Sequence, residues 1–277
     1  MPGLRIIFVG FGAVARTCCI MWSRILPGVI IEHAAIIEPR EVNLEDYLPG
    51  VDRHHYVLGL TPTNYAKTLD KISTKHSSNF MIDLSVDVDS VSLLQWCSEN
   101  GIRYISTAIE DWAKYPTWKG GFKTVAERTD MTKRTLAYKQ EHIRALFPRG
   151  TVTMLIDHGM NPGMISHFTK NALARIATGE FRDISKKIRA KPKAAHDDMN
   201  SAEYYAGVAR DLGLQVIHCA ERDTQEPIAA RTPGEFLNTW SCKGFYEEAT
   251  DPAQVGWGTH ERAWPLNSVR LHFEAVL

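Results

Sequence analysis

The apolar run Leu4-Arg5-Ile6-Ile7-Phe8-Val9 stops at Gly10-Phe11-Gly12, and a helically spaced stretch, Ala13 to Leu26, follows at once. A strand that turns on two glycines and opens straight into a helix leaves few folds available. The continuation narrows them further. Pro27-Gly28 ends the helix, and Val29 to Ile37, rich in β-branched residues, predicts a second strand stopped by Glu38-Pro39. A third strand is expected over His55 to Leu60 and a helix over Thr63 to Ile72, with Thr63 as its cap. Phe80 to Val86 predicts a fourth strand, Asp89 to Glu99 a helix leaving through Asn100-Gly101, and Ile102 to Ile109 a fifth strand. Glu110 to Gly121, with its prolines, tryptophans and glycines, reads as a loop. Arg128 to Leu146 reads as a helix and Thr151 to Ile156 as a sixth strand. Strands alternating with helices imply an α/β fold of Rossmann type, a doubly wound parallel sheet. A second, partly represented α/β domain follows, with boundaries expected at 1–157 and 158–277.

Gly10-Phe11-Gly12-Ala13-Val14-Ala15 fits G-x-G-x-x-A in the context that the pattern requires. Gly10 permits the tight turn, Gly12 lets the backbone approach a pyrophosphate, and Ala15 allows close packing of helix on strand. The N–H groups of the helix start, at Ala13 and Val14, then face the phosphates. Glu38, ending the second strand, stands where a carboxylate accepts the ribose hydroxyls of NAD and repels the 2′-phosphate of NADP. Arg40 blurs that preference.

A net charge of zero argues against a global field for nucleic acid or an anionic membrane. The basic run Lys186 to Lys193 has no interleaved aromatics and reads as a solvated face. No apolar run reaches the roughly 18 residues of a membrane span, and the N-terminus lacks a signal-peptide layout, so the expected location is the cytosol. The odd cysteine count, 5, without a Cys-x-x-Cys pair, points to reduced thiols rather than a disulfide framework or zinc site. Scattered histidines give no metal spacing. Tyr115 and Lys119 fit Tyr-x-x-x-Lys, but Pro116 and Trp118 between them disfavour the helix on which that acid pair works.

Four further segments carry a resemblance: Asp83-Leu84-Ser85-Val86-Asp87, Thr107 to Trp112, Gly159-Met160-Asn161-Pro162-Gly163-Met164, and the run from Asn238 to Glu261. In this order they resemble the bacterial homospermidine synthases of the saccharopine dehydrogenase-like superfamily, from Leu4 to about Glu261. Family members are considerably longer, and Ala263 to Leu277 does not clearly continue the pattern, so a C-terminally shortened chain is expected. The resemblance implies an NAD-containing homodimer. Two putrescines are joined with release of ammonia, NAD taking a hydride from the first diamine and returning it to the new imine. Spermidine remains open as a further donor.

A diamine substrate is a dication, and matching positions supply carboxylates and an aromatic face: Asp87 and Glu110 with Trp240 for binding. Glu221 and Glu248, with Trp240 and Asn161, are implied for catalysis. A carboxylate in a partly dry site has a proton affinity suited to deprotonating an amine. Ser85, Asn161 and Pro162 join Gly10, Gly12, Ala13, Val14 and Glu38 on the cofactor side. Simpler roles stay open: a turn for Asn161, a surface ion pair for Glu221, core packing for Trp240, and Glu247 in place of Glu248. The alternatives to the synthase are a related reductase of the same superfamily, or an inactive NAD-binding fragment.

Overall fold

The computed structural model describes residues 3–76, 78–112, 136–147, 152–179, 202–214, 216–222, 224, 230–235 and 237–250. The expectations for Tyr115, Lys119, the loop to Gly121, the first part of the Arg128 helix and the Lys186–Lys193 run lie outside those residues, as do the side chains of Glu247 and Glu248.

Six parallel strands form one sheet: β1 (Leu4–Val9), β2 (Ile31–Ile37), β3 (Asp52–Tyr56), β4 (Phe80–Asp83), β5 (Arg103–Ser106) and β6 (Met154–Leu155), ordered β3-β2-β1-β4-β5-β6. The order reverses beside β1, so the crevice at the carboxyl ends of β1 and β4 is the topological switch point where such sheets bind ligands. Helices α1 (Ala13–Ile25), α2 (Tyr65–His76), α3 (Ser90–Glu99) and α4 (Leu136–Leu146) belong to the same unit.

The central strand explains the two-sided packing. Ile6 and Phe8 point into a core with Phe11, Ala15, Ala34 and Ile36, whereas Ile7 and Val9 point into a second core with Ala35, Leu69, Leu93 and Leu94. Alternate side chains of a strand leave by opposite faces, and here both faces are covered, so the strand is apolar from Ile6 to Val9. Each of the isoleucine, valine, leucine and phenylalanine side chains among them gains about 1.5–3 kcal/mol from burial.

The third strand is not where the sequence suggested. It spans Asp52–Tyr56, pairing from His33↔Asp52 to Ile37↔Tyr56, and Val57 to Leu60 has left the sheet. An edge strand has one sheet neighbour and tolerates polar residues, so its pattern was weaker than that of the apolar exit. Helix α2 also differs, running one turn beyond Ile72 to His76. The Asn64 side chain accepts the Thr61 N–H (2.7 Å), and the Thr61 carbonyl accepts the Asn64 and Tyr65 N–H groups, so Thr61 rather than Thr63 opens it.

Of the two residues at the start of α3, Asp89 and Ser90, it is Asp89 that caps the helix: one carboxylate oxygen accepts the Ser92 N–H (2.7 Å) and hydroxyl (2.8 Å) while 1% exposed. Asp89→Ala should lower stability by about 1–2 kcal/mol, seen as a lower denaturation midpoint at unchanged m-value. An unchanged midpoint would mean that the cap contributes nothing.

The chain clusters into two units. One holds the residues up to His158 together with 230–250, including α7 (Cys242–Thr250); the other holds Gly159–Thr224. In the second unit, α5 (Met164–Ala177) and α6 (Ala202–Asp211) enclose a small core of Leu173, Tyr204 and Val208.

Candidate nucleotide and diamine site

The glycine turn is held from three directions. Gly10 has φ +82°, and a Cβ placed there would meet the Leu84 carbonyl oxygen at 2.6 Å and the Ser85 Cα at 2.9 Å. The exit of β4 therefore lies directly on the turn. Phe11 is fully buried, edge-on to Phe8 and Tyr47, and anchors the loop in the core. Arg16 Nε donates to the Phe11 carbonyl (3.0 Å).

Gly12 caps α1 with no side chain of its own, and a Cβ there would find its nearest neighbour, Arg40 Nη2, at 4.0 Å. Ala13 and Val14, the first helical residues, are exposed, while Ala15 is buried against the sheet. First-turn N–H groups have no partner within a helix, and no acidic residue occupies that turn. These features fit a dinucleotide: space above Gly12, a donor-lined helix start, and a turn where only glycine is accommodated.

Glu38 is 4% exposed. It accepts the Phe11 N–H (3.0 Å) on one oxygen and the Arg40 Nε (2.7 Å) and N–H (3.2 Å) on the other. Burial alone pushes its carboxyl up. The bonds from Arg40 and Phe11 outweigh that effect and hold it below its ordinary value. The acid expected to read a ribose thus also clamps the glycine turn, and it ties down the side chain that would otherwise greet a 2′-phosphate.

Asp87 and Glu110 come together at the same edge. Asp87 adopts φ 64° and is buried, and its N–H donates to Glu110 Oε2 (3.4 Å). The Glu110 backbone is locked onto the start of α3: its N–H donates to the Ser90 hydroxyl (2.9 Å) and its carbonyl accepts the Ser90 N–H (3.0 Å). A left-handed aspartate costs energy and persists where its surroundings fix it, often at a site. Two carboxylates beside the nucleotide crevice are the chemistry that a dication requires.

The remaining candidates stand on other segments. Asn161-Pro162, joined by a cis bond, form a turn closed by the Gly159 N–H on the Pro162 carbonyl (2.8 Å), and Gly163 at φ 126° starts α5. Asn161 is exposed, as is Glu221, which stands in irregular chain of the second unit. Trp240 is 42% exposed, with its ring 6.2 Å from Phe245. Among the described residues no helix is long and apolar enough to cross a membrane, and no cluster of three or more His, Cys, Asp or Glu could hold a metal ion.

Sequence reasoning gave no role to Asp83, which ends β4. Its Oδ1 accepts the Ser85 N–H (3.1 Å) and hydroxyl (2.6 Å), and its Oδ2 accepts the Tyr104 phenol (2.6 Å). Burial pushes its carboxyl up against the opposing pull of these donors. A lone acid closing an otherwise apolar strand was the available signal.

The saccharopine dehydrogenase NADP binding domain matches residues 28–154, and the saccharopine dehydrogenase C-terminal domain matches residues 159–276. The second match continues past Glu261, where the resemblance read from the sequence had faded. A homospermidine synthase of Mesorhizobium japonicum is 31% identical over 95% of this chain and 50% of its own length; one from Blastochloris viridis is 33% identical over 76% and 40%. The crystal structure of the homospermidine synthase from Legionella pneumophila in complex with NAD superposes with a TM-score of 0.68 at 31% identity, over 95% of this chain and 50% of that one. The chain spans about half the length of these relatives. It belongs to the saccharopine dehydrogenase-like superfamily, among whose members the homospermidine synthases resemble it.

Proposed function

We propose that the chain performs NAD-dependent aminobutyl transfer, joining two putrescines into homospermidine with release of ammonia. The observation that carries this reading is the pair Asp87 and Glu110, fixed at the sheet edge that also holds the glycine turn. Its relatives are homospermidine synthases, one of them solved with NAD.

When bound, NAD supplies a hydride acceptor that returns the hydride later in the cycle, so none is consumed. Gly10, Gly12, Ala13, Val14, Glu38 and Ser85 would hold it, with Asn161 and Pro162 contributing from the second family domain. Asp87 and Glu110 bind ammonium ends of the diamines. Trp240 offers an indole face, worth about 0.5–2 kcal/mol to a desolvated ammonium. Glu221 and Glu248 take up the amine proton before oxidation and return one to the leaving nitrogen. The division into a cofactor part, 1–157, and a substrate and dimerisation part, 158–277, belongs to the same proposal, as does a cytosolic homodimer.

Mass spectrometry after incubation with putrescine and NAD tests it. Homospermidine and ammonia without net NADH are expected, and their appearance should fall at least a hundredfold in Glu221→Gln or Glu248→Gln with NAD affinity retained. Stoichiometric NADH would instead identify an ordinary dehydrogenase.

A further inference from the structure

Resting on the reading of the glycine turn as a dinucleotide cradle, we propose that Asp83 is a positioning residue for NAD: with Tyr104 and Ser106 it fixes the β4 exit, Leu84-Ser85, against that turn.

Two buried side-chain bonds cross from β5 to its neighbours on either side. The Tyr104 phenol donates to Asp83 (2.6 Å), and two residues along the same strand the Ser106 hydroxyl accepts the Asp157 N–H (3.4 Å). From the other side, Ser85 donates twice to the same carboxylate. Asp83, Tyr104, Ser106 and Asp157 are 4%, 1%, 1% and 5% exposed. Gln140 on α4 completes the line by donating to Asp157 (2.9 Å). These bonds tie together the carboxyl ends of β4, β5 and β6.

A buried carboxylate is a poor way to stabilise a sheet, because an apolar side chain of similar size does as well without desolvating a charge. It is a good way to fix a short segment in one place, since three donors converge on two oxygens. The fixed segment is the one that touches the cradle. Leu84 and Ser85 lie within 3 Å of the Gly10 Cβ position, so slack at the β4 exit passes directly into the turn. These groups act through the backbone they hold.

Tyr104→Phe removes one hydroxyl and no bulk. The test is isothermal titration with NAD of the wild-type chain, Tyr104→Phe, Ser85→Ala and the double variant. Trp96→Phe serves as control, since it removes a partly buried bond from a buried aromatic side chain to a carboxylate, that of Asp70 on α2 (2.7 Å). The inference predicts about a tenfold rise in Kd for Tyr104→Phe, no rise for Trp96→Phe, and a double variant weaker than wild type by less than the product of the single effects. Asp83→Asn should be weaker still; if it does not fold, Tyr104→Phe carries the test. Wild-type affinity in a folded Tyr104→Phe variant, or independently multiplying effects, overturns the positioning role. Absence of NAD binding by the wild-type chain instead overturns the cradle reading, and this inference with it.

Discussion

Gly10→Ala should abolish NAD binding and lower stability by about 2–5 kcal/mol, the sum of a left-handed alanine and a forced shift of its neighbours. The clash is with backbone: the Leu84 carbonyl oxygen at 2.6 Å and carbon at 2.8 Å, and the Ser85 Cα at 2.9 Å. None of these can swing aside as a side-chain tip would. Gly12→Ala is the informative companion. Its Cβ meets nothing nearer than Arg40 Nη2 at 4.0 Å, so the fold should persist while the methyl group occupies the approach of the pyrophosphate. Thermal melting with and without NAD reads both. Gly10→Ala should melt lower and show no NAD-dependent shift; Gly12→Ala should melt near wild type and also show none. A normal NAD shift in Gly12→Ala would mean that the nucleotide lies elsewhere.

The second large effect is expected at Glu38. Glu38→Ala leaves the buried Phe11 N–H without its acceptor and releases Arg40, whose side chain is 70% exposed. Loss of these charge-assisted bonds should cost about 2–3 kcal/mol. The same change removes the carboxylate that repels a 2′-phosphate and frees a guanidinium beside Gly12, so the ratio of NADP to NAD affinity should rise at least about tenfold. An unchanged ratio, measured by titration with each dinucleotide, would show that Glu38 serves the turn alone.

Acid adds a further handle on this residue. The folded carboxyl lies below its unfolded value, so its stabilisation is present above the unfolded carboxylate range and is lost as pH falls through the folded value. Glu38→Gln should flatten that part of the acid limb of the stability profile.

The sheet was legible because its central strands are covered on both faces, which writes apolar runs at Ile6–Val9 and Ala34–Ile37. Edge strand β3 was displaced because Asp52-Arg53-His54-His55-Tyr56 has little need of apolar residues at a sheet margin. Local chemistry was legible where one residue type answers one backbone demand, as at Gly10. Roles created by distant partners were not. The contact of Glu38 with the Phe11 N–H and the convergence of Ser85 and Tyr104 on Asp83 depend on how strands align, and no local spacing encodes them. Asp87 was singled out as a candidate amine ligand, but its left-handed backbone was invisible, since nothing around it demands glycine.

The most direct test of the account follows the hydrogen. The chain is supplied with NAD and with putrescine deuterated at the carbons next to both nitrogens, and the product mass is read. Transfer out and back on the bound dinucleotide predicts homospermidine that keeps all the carbon-bound deuterium of its two precursors, with no net NADH. Loss of deuterium to solvent, or deuterated NADH accumulating in step with a released aldehyde, would contradict it.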